Sequence, residues 1–340
     1  MTASTYSDAG VNIGEGARAV ELMKAAVRRT HDARVLAGIG AFGGMFDATA
    51  LKQMAAPVLV ASTDGVGTKT KVAAKLGRWD TVGQDLVNHC VNDILVQGAQ
   101  PLFFMDYVAA SKLNAQQVAT VVNGMAQACA ENGVALLGGE TAEMPGVYVE
   151  GEIDLAGTIV GVVDRAQAIT GERIQAGDAI IGLHSTGLHT NGYSLARRSL
   201  SDLDWFARRD DLGVSIGEAL LAVHRSYAPQ VAALRANHID VHGLAHITGG
   251  GILENVPRVL PRHLAAVFDL GCWPAPPIFS LIQSRGGVDV REMHRVFNMG
   301  VGMIAVVPQS QAHGALNALN GVGSVCGRIA PREREPVILA

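Results

Sequence analysis

Three carboxylates in the first half of the chain stand beside glycine-rich turns and could bind a hard cation. Asp64 lies within Ser62-Thr63-Asp64-Gly65-Val66-Gly67-Thr68-Lys69, directly after the apolar run at 58–61. Asp93 lies near the carboxyl end of an amphipathic stretch, and Glu140 follows two glycines that end a further apolar run. Carboxylate oxygens suit Mg²⁺, and glycine lets backbone N–H groups approach a phosphate closely. The three residues therefore predict a site for a metal and a nucleotide, to which Lys69 adds positive charge.

Each carboxylate also has a plainer interpretation that the sequence leaves open. The octapeptide around Asp64 could be a hairpin turn with a solvated lysine. Asp93 could be an exposed residue whose position at a helix carboxyl end costs a few tenths to about 1 kcal/mol. Glu140 could be an ordinary loop carboxylate.

A glycine-rich loop, Gly38-Ile39-Gly40-Ala41-Phe42-Gly43-Gly44, precedes these carboxylates in the sequence. It fits G-x-G-x-x-G, but a dinucleotide fingerprint requires a strand directly before it, and residues 31–34 are a poor strand. Asp64 stands about where such a fold carries its ribose-binding acid, so a dinucleotide-binding fold remains a rival hypothesis. A flexible flap that closes over phosphates requires fewer assumptions.

A second, neutral cluster occupies the second half of the chain. After the apolar run 179–183, the segment His184-Ser185-Thr186-Gly187-Leu188-His189-Thr190-Asn191-Gly192 leads into a helix, and Thr248-Gly249-Gly250-Gly251 precedes another. Hydroxyl, amide and glycine residues at helix starts favour an anion such as a substrate phosphate. The alternatives are an ordinary helix cap for the first segment and a core role for His246.

Composition limits the classes of protein that this chain can belong to. It has 340 residues, 49% of them hydrophobic and 17% charged, which predicts two well-packed domains. A formal charge of −4, the lack of a Lys/Arg block and the lack of a membrane-length apolar run argue against nucleic acid or a membrane as partner. The N-terminus lacks the features of a secretory signal and the cysteines are widely spaced, so we expect a cytoplasmic protein without disulfides or a zinc site.

Hydrophobic periodicity predicts the elements that position these residues. Helices are predicted at 15–29, 82–97, 114–132, 216–227 and 229–236 and from Ser194 onward, and strands at 58–61, 102–105, 134–137, 158–163, 179–183 and 304–307. An extended arm is expected at 1–14, and the polar stretch 164–177 is the predicted linker. The fold class is therefore mixed, α+β or α/β, with domains at 1–166 and 172–340.

Taken together, the motifs resemble those of the phosphoribosylformylglycinamidine cyclo-ligase, or AIR synthetase, family of purine biosynthesis. The resemblance runs nearly end to end, through Tyr6-Ser7-Asp8-Ala9-Gly10-Val11, the Gly38 to Gly44 loop, Thr63 to Lys69, Asn92 to Pro101, Gly138-Gly139-Glu140-Thr141-Ala142-Glu143-Met144-Pro145-Gly146, Gly187 to Ser194, His246 to Gly251 and Phe297 to Met303. Asp93 to Pro101 fits a D-x4-G-A-x-P pattern shared by a superfamily of ATP enzymes. The segments at 138–146 and 248–251 are more specific to the cyclo-ligases.

The resemblance implies an N-terminal ATP-binding domain whose strands close a dimeric β-barrel with helices outside, and a C-terminal three-layer α/β domain that binds substrate. It implies a homodimer that uses ATP, Mg²⁺ and a small ribonucleotide substrate. In the expected reaction, the formyl oxygen of formylglycinamidine ribonucleotide attacks the γ-phosphate of ATP. The substrate's own N1 then displaces phosphate from the iminophosphate and closes the imidazole ring of aminoimidazole ribonucleotide.

The resemblance also implies roles for individual residues. ATP binding is expected of Gly38, Gly40, Phe42, Gly43, Gly44, Asp64, Gly65, Gly67, Thr68, Lys69 and Asp93, and Mg²⁺ binding of Asp64, Asp93 and Glu140. Substrate binding is expected of Ser185, Gly187, His189, Asn191, Thr248, Gly249, Gly250 and Gly251. Catalytic roles fall to His189, Lys69 and Asn191, and His189 is the best candidate for proton handling because its reference pKa is near neutral.

The alternative to an enzyme is a catalytically silent nucleotide-binding dimer with the same fold. A silent relative would have no need to keep all three carboxylates beside Lys69, so the sequence favours the ligase.

Overall fold

The computed structural model describes residues 12–340, so most of the predicted arm lies outside the described part of the chain. The helices are α1 (Ile13–Arg28), α2 (Thr70–Leu76), α3 (Val82–Leu95), α4 (Ala115–Glu131), α5 (Tyr193–Ser199), α6 (Ile216–Leu221), α7 (Ala228–Ala236), α8 (Gly251–Asn255), α9 (Pro277–Gly286), α10 (Val290–Val296) and α11 (Ala312–Leu319). The strands are β1 (Val35–Ala37), β2 (Met45–Phe46), β3 (Pro57–Gly65), β4 (Gln100–Ala110), β5 (Ala135–Glu143), β6 (Ile153–Asp164), β7 (Ala179–His184), β8 (Gly243–His246), β9 (Leu264–Phe268), β10 (Val301–Val307), β11 (Gly323–Pro331) and β12 (Val337–Leu339).

The chain divides into two compact units. The first contains the described residues up to 94 together with 100–166, and the second contains 95–99 and 167–340. Each unit has its own sheet, and β1 and β2 form a separate two-stranded sheet. Within residues 12–340, no helix has both the length and the apolar content that a membrane crossing requires.

The first unit is built on a four-stranded sheet with the order β3-β6-β4-β5. Strands β4 and β5 are parallel, whereas β6 pairs antiparallel with both β3 and β4. Helix α3 packs closely on β6 because two glycines leave room for it: a Cβ at Gly161 would lie 2.6 Å from Ile94 Cδ1, and Cys90 Sγ lies 3.6 Å from the carbonyl of Gly157. This order places β3 and β5 at opposite edges of the sheet.

The other face of this sheet carries exposed apolar side chains. Leu59 on β3 is 64% exposed and Met105 on β4 is 39% exposed. Their positions alternate with the inward-facing residues of the same strands, as expected for a period of two. A sheet face of this kind is usually covered by another layer.

Local sequence signals placed the helices of this unit accurately. Asn12 accepts hydrogen bonds from the backbone of Gly14 and Glu15 at the start of α1, and Asn114 accepts one from Gln117 N at the start of α4. Both asparagines satisfy N–H groups that a helix start leaves without a partner. The predicted helices at 15–29 and 114–132 are therefore confirmed to within about two residues.

The second unit contains a six-stranded sheet with the order β12-β9-β11-β7-β10-β8. All its pairs are antiparallel except β12 with β9. Ile180 packs into a cluster with Ile252 and Val256 of the α8 region. Its neighbour Ile181 packs on the opposite face with residues of α7 and α11. The sheet therefore has helices on both faces. In the same unit, the helix predicted at 216–227 is shorter than expected and ends at Leu221.

Candidate functional site

The structure brings two of the predicted metal ligands, Asp64 and Asp93, to a single histidine. Asp64 lies near the end of β3, and His89 and Asp93 lie one turn apart on α3. His89 Nε2 is 2.7 Å from Asp64 Oδ2 and 3.8 Å from Asp93 Oδ2. Ser62 Oγ donates a hydrogen bond of 2.8 Å to Asp93 Oδ2. We call Ser62, Asp64, His89 and Asp93 the carboxylate cluster.

The electrostatics of this cluster favour an ionised Asp64 and a protonated His89. Burial by itself raises the pKa of Asp64, but the hydrogen bond and charge of His89 outweigh it and the pKa is lowered. Burial likewise lowers the pKa of His89, but Asp64 and the neighbouring aspartates outweigh it and the pKa is raised. The Asp64 and Asp93 side chains are 45% and 22% exposed, so a cation can reach both.

His89 was not among the predicted site residues, although the sequence contained a signal for it. Asp85, His89 and Asp93 are spaced four residues apart and share one face of α3. Only the three-dimensional contact between His89 and Asp64 shows that this face meets the end of β3. The spacing predicted which residues are neighbours on the helix but not which strand they contact.

Glu140 does not join Asp64 and Asp93 in the first unit, and this corrects the predicted three-carboxylate site. Asp64 and Gly139 belong to one row across the sheet, so Glu140 belongs to the next row and faces the opposite side. Three strand spacings of about 4.8 Å also put the two strands roughly 14 Å apart. One Mg²⁺, which requires short bonds to oxygen, cannot contact both side chains in this arrangement.

Lys69 has a different partner from the phosphate predicted for it. It is the last residue of the short 3-10 turn Gly67–Lys69, and its Nζ lies 2.7 Å from Asp85 Oδ2 with both side chains fully buried. Burial lowers the pKa of Lys69, and the Asp85 carboxylate opposes that shift. Lys69 therefore does not present its ammonium group at the surface of the first unit.

The glycine-rich loop covers a cavity of about 590 Å³ within the first unit. Its lining consists of the loop 38–44, residues of α1, Val122 of α4 and the adjoining parts of β4 and β5; the strand residues include Leu137, Asp106 and Glu140. Two loop glycines lie against its walls: a Cβ at Gly38 would lie 2.6 Å from the His31 ring and one at Gly44 would lie 2.3 Å from Leu137 Cγ. Phe42 is fully exposed. We call this space the glycine-loop cavity.

Asp106 is a wall residue of this cavity that the sequence analysis missed. It lies on β4 opposite Gly139 of β5, and a Cβ at Gly139 would lie 2.3 Å from Asp106 Oδ1. Burial raises the pKa of Asp106 to about 7. In the sequence, Asp106 is marked only by its position directly after the apolar run 102–105. A carboxylate at the exposed end of any strand gives the same pattern.

In the second unit, part of the predicted substrate set is accessible. Asn191, Thr248 and Gly250 are half-buried and Gly249 is exposed. A Cβ at Gly249 would lie 3.3 Å from Asn191 Oδ1, so the two segments are neighbours. Asn255 Nδ2 donates to the carbonyls of Gly249 and Gly251 at 3.2 and 2.9 Å and holds the triple-glycine turn in shape.

The other predicted substrate residues lie beneath this surface. Ser185 Oγ contacts the carbonyl of Gly187 at 3.0 Å and Asn298 Oδ1 at 3.1 Å, which fixes the loop after β7. His189, with a backbone φ of +61°, is fully buried and stacks on His224 with ring centroids 4.0 Å apart. His224 Nε2 lies 3.2 Å from His246 Nε2. In this arrangement His189 cannot touch a ligand at the surface. Its predicted role in proton handling is a separate matter and stays a prediction.

Known proteins are similar to this chain over nearly its whole length. The family model for the AIR synthase related protein, N-terminal domain, matches residues 45–163, and the model for its C-terminal domain matches residues 175–340. A phosphoribosylformylglycinamidine cyclo-ligase from Thermoanaerobacter sp. (strain X514) is 47% identical over 334 residues, which cover 96% of this chain and 98% of the relative. One from Anaeromyxobacter sp. (strain Fw109-5) is 52% identical over 319 residues, 92% of each chain. The chain belongs to the phosphoribosylformylglycinamidine cyclo-ligase family.

Solved structures of more distantly related proteins have a similar fold. Thiamine-monophosphate kinase from Stenotrophomonas maltophilia K279a aligns with a TM-score of 0.67 at 18% identity, over 94% of this chain and 95% of the other. Hydrogenase maturation protein HypE in complex with ATP aligns with a TM-score of 0.67 at 19% identity, over 95% and 90%. At this identity the likeness establishes the mixed α/β fold of the two family domains. The prediction of the cyclo-ligase family from sequence motifs is confirmed.

Proposed function

We propose that the protein closes the imidazole ring of aminoimidazole ribonucleotide from formylglycinamidine ribonucleotide, with ATP converted to ADP and phosphate. The observation that carries this proposal is the near full-length similarity to curated cyclo-ligases. The reaction proceeds by attack of the formyl oxygen on the γ-phosphate and displacement of phosphate from the iminophosphate by the substrate's N1. Both steps depend on positioning and charge neutralisation more than on a protein nucleophile.

The carboxylate cluster could supply two of the oxygen ligands of Mg²⁺, from Asp64 and Asp93. Asp64 Oδ2 and Asp93 Oδ2 lie 2.7 and 3.8 Å from His89 Nε2, so the two carboxylates flank the same histidine. Carboxylate oxygens suit a hard divalent ion, and Ser62 holds the orientation of Asp93. Bound there with ATP, Mg²⁺ would neutralise phosphate charge.

Lys69 and Glu140 take supporting roles in this proposal. Lys69 pairs with Asp85, one turn before His89 on α3, and thereby fixes the turn after Gly67 against the helix that carries Asp93. Glu140 lies in the glycine-loop cavity, away from Asp64. The backbone N–H groups of Gly67 and Thr68 are the proposed phosphate contacts at the end of β3, whereas that of Gly65 donates to Asp64 Oδ1 at 2.6 Å.

The accessible residues of the second unit are the proposed binding site for the ribonucleotide. Asn191 offers an amide, and Thr248 to Gly250 offer a hydroxyl and backbone N–H groups at the start of α8. Ring closure is intramolecular, so the main demand of the second step is to hold the substrate's two reacting ends close together. His189 supports this surface from beneath, through His224 and His246.

We also propose that the protein is a homodimer in which the exposed sheet faces of two first units form a β-barrel. The exposed Leu59 and Met105 support this arrangement, because burying such side chains is favourable at about 25 cal/mol per Å².

The proposed reaction is tested by measuring phosphate release from Mg-ATP with and without formylglycinamidine ribonucleotide. We expect release only when the ribonucleotide is present. Binding of ATP without any turnover would instead favour the silent nucleotide-binding dimer, and release that ignores the ribonucleotide would contradict the ligase.

A further inference from the structure

A buried turn after α10 contacts both of the loops that carry the proposed ribonucleotide site. The first of these loops is 185–192, which follows β7, and the second is 248–251, which follows β8. We call them the first and second ribonucleotide loops, and we call residues 297–300 the α10 turn. Phe297 is fully buried and Asn298 is 2% exposed. No step of the proposed reaction uses a side chain of this turn.

The amide of Asn298 joins the α10 turn to the first ribonucleotide loop. Its Nδ2 donates to the carbonyl of Gly187 at 2.9 Å, and its Oδ1 accepts from the backbone N–H of Gly300 at 2.9 Å. Ser185 Oγ lies 3.1 Å from the same Oδ1, and Ser185 N donates to the carbonyl of Gly300 at 2.8 Å. One neighbour is a carbonyl and the other is an N–H group, so the position requires both a donor and an acceptor.

Phe297 joins the same turn to both ribonucleotide loops. A Cβ at Gly192 would lie 2.2 Å from Phe297 Cε1, so the ring packs directly against the end of the first loop. A Cβ at Gly251 would lie 2.9 Å from the carbonyl oxygen of Phe297 and 2.0 Å from that of His294. The second loop therefore packs on the backbone of the α10 turn, and the distance between the two loops depends on this turn.

The backbone of the α10 turn is held in an uncommon conformation. Met299 has a φ of +48°, which residues other than glycine seldom adopt. Trp273 Nε1 donates to the carbonyl of Met299 at 2.9 Å, and Asn298 Oδ1 binds the N–H of Gly300 on the other side. Such a conformation persists only where the surrounding structure fixes it, and it is found most often at functional sites.

We propose that the α10 turn is the scaffold that holds the two ribonucleotide loops at a fixed separation, and that Asn298 is a positioning residue for the ribonucleotide. This inference rests on the proposed function, which places the ribonucleotide on these loops. Loops that keep their separation do not have to be ordered when the ligand binds, so less affinity is lost. Asn298 is buried and acts through the carbonyl of Gly187 and through Ser185.

Asn298→Asp is the variant that tests this role. Aspartate has the size of asparagine and keeps an acceptor for Gly300 N, but when ionised it places an oxygen against the carbonyl of Gly187. Phe297→Leu is a milder second variant, because it withdraws the aromatic ring from Gly192 and keeps the site apolar. It keeps the proposal testable should Asn298→Asp not fold.

Leu234→Ala is the matched control for a loss of stability alone. Leu234 of α7 is fully buried in the cluster on the opposite face of the sheet from α8. Its carbonyl accepts from Ile239 N, in the segment that leads into β8. Both ribonucleotide loops follow the carboxyl ends of β7 and β8, which share one edge of the sheet because both strands are antiparallel to β10. The control therefore lies at the other end of these strands.

Steady-state kinetics give kcat and the KM values for formylglycinamidine ribonucleotide and for ATP, and thermal unfolding gives Tm. We expect Asn298→Asp to raise the KM for the ribonucleotide by roughly tenfold or more, as one unsatisfied buried carbonyl predicts, and to change kcat and the KM for ATP much less. Phe297→Leu should raise the ribonucleotide KM by about threefold or more. Leu234→Ala should lower Tm and leave both KM values within about twofold of wild type.

An unchanged ribonucleotide KM in either folded variant would overturn the positioning role of the α10 turn. So would an equal rise of that KM in Leu234→Ala, since it would then follow from lost stability. Both outcomes leave the ligase proposal intact. Failure of the wild-type protein to convert the ribonucleotide would instead overturn the proposed function itself.

Discussion

The proposed metal site depends strongly on the side chain of Asp93. Its Oδ2 accepts from Ser62 and lies 3.8 Å from His89 Nε2, so its position is fixed before a ligand arrives. Prearranged carboxylates lose little freedom when they bind a cation. A substitution at Asp93 should therefore change the affinity for Mg-ATP more than it changes the stability of the fold.

We expect Asp93→Asn to weaken Mg-ATP binding by roughly tenfold or more, because it removes one negative oxygen ligand. Isothermal titration calorimetry at fixed Mg²⁺ measures the change. Asp80→Asn is the control, since Asp80 is exposed and pairs with Arg78. Unchanged ATP affinity in Asp93→Asn would remove Asp93 from the metal site.

Asp106 predicts a specific pH dependence of stability. Its pKa is about 7 in the folded protein and about 4 in an unfolded chain. Below pH 4 the group is protonated in both states; between pH 4 and 7 only the unfolded chain ionises, so stability is lost as pH rises through this range. Relative to Asp106→Asn, wild type should lose up to a few kcal/mol in its free energy of unfolding between pH 4.5 and 7.5.

Urea unfolding of both proteins across that pH range measures the difference. Other titrating groups cancel in the comparison, because the two chains differ at one residue only. Parallel stability curves for wild type and Asp106→Asn would show that Asp106 titrates normally.

At the scale of elements, glycines set how closely the helices of the first unit pack. A Cβ at Gly83 of α3 would lie 2.0 Å from the carbonyl oxygen of Val121 in α4, and one at Gly124 of α4 would lie 2.8 Å from the carbonyl of Asp80. Backbone atoms cannot move aside as the end of a side chain can. The position of α3, and with it His89 and Asp93, depends on these contacts.

Gly83→Ala should therefore lower the free energy of unfolding by about 1–3 kcal/mol through overpacking. Gly16→Ala in α1 is the control, because nothing lies within 4 Å of a Cβ at that position. It should be neutral or stabilising by up to about 1 kcal/mol, as helix propensity predicts. Equal stability of Gly83→Ala and wild type would mean that α3 and α4 can separate without cost.

Elements that depend on local signals could be predicted from the sequence, and contacts that depend on strand order could not. Asn114 predicted the start of α4 because an N-cap interacts only with the next few residues. The distance between Asp64 and Glu140 is fixed by the insertion of β6 and β4 between β3 and β5, which no local pattern encodes. Burial of Lys69 likewise depends on Asp85, sixteen residues later, meeting it in three dimensions.

At the scale of the whole molecule, the family motifs predicted the function, which hydrophobic periodicity alone did not. The segments at 138–146 and 248–251 pointed to the cyclo-ligases, and the comparisons bear this out. They did not separate residues that face a ligand from those that support it, since His189 and Asn191 stand in the same motif but only Asn191 is accessible. Burial, which decides between these roles, comes from the packing of distant strands.

The proposed dimer predicts that the exposed sheet face controls oligomeric state. Wild type should be a dimer by light scattering after gel filtration, and Leu59→Asp should be a monomer, because a charge on this face cannot be buried without cost. Phe206→Asp in the second unit is the control, since Phe206 is 65% exposed and Leu59 is 64% exposed. A monomeric wild type, or a Leu59→Asp variant that stays dimeric, would contradict the barrel.

The fate of the formyl oxygen tests the proposed reaction most directly. Formylglycinamidine ribonucleotide labelled with ¹⁸O in its formyl group is converted by the wild-type protein in the presence of Mg-ATP, and the products are analysed by mass spectrometry. If the formyl oxygen attacks the γ-phosphate and leaves with it, the label appears in inorganic phosphate, with one ADP formed for each aminoimidazole ribonucleotide. Label in water, or ring closure without ADP, would contradict the mechanism.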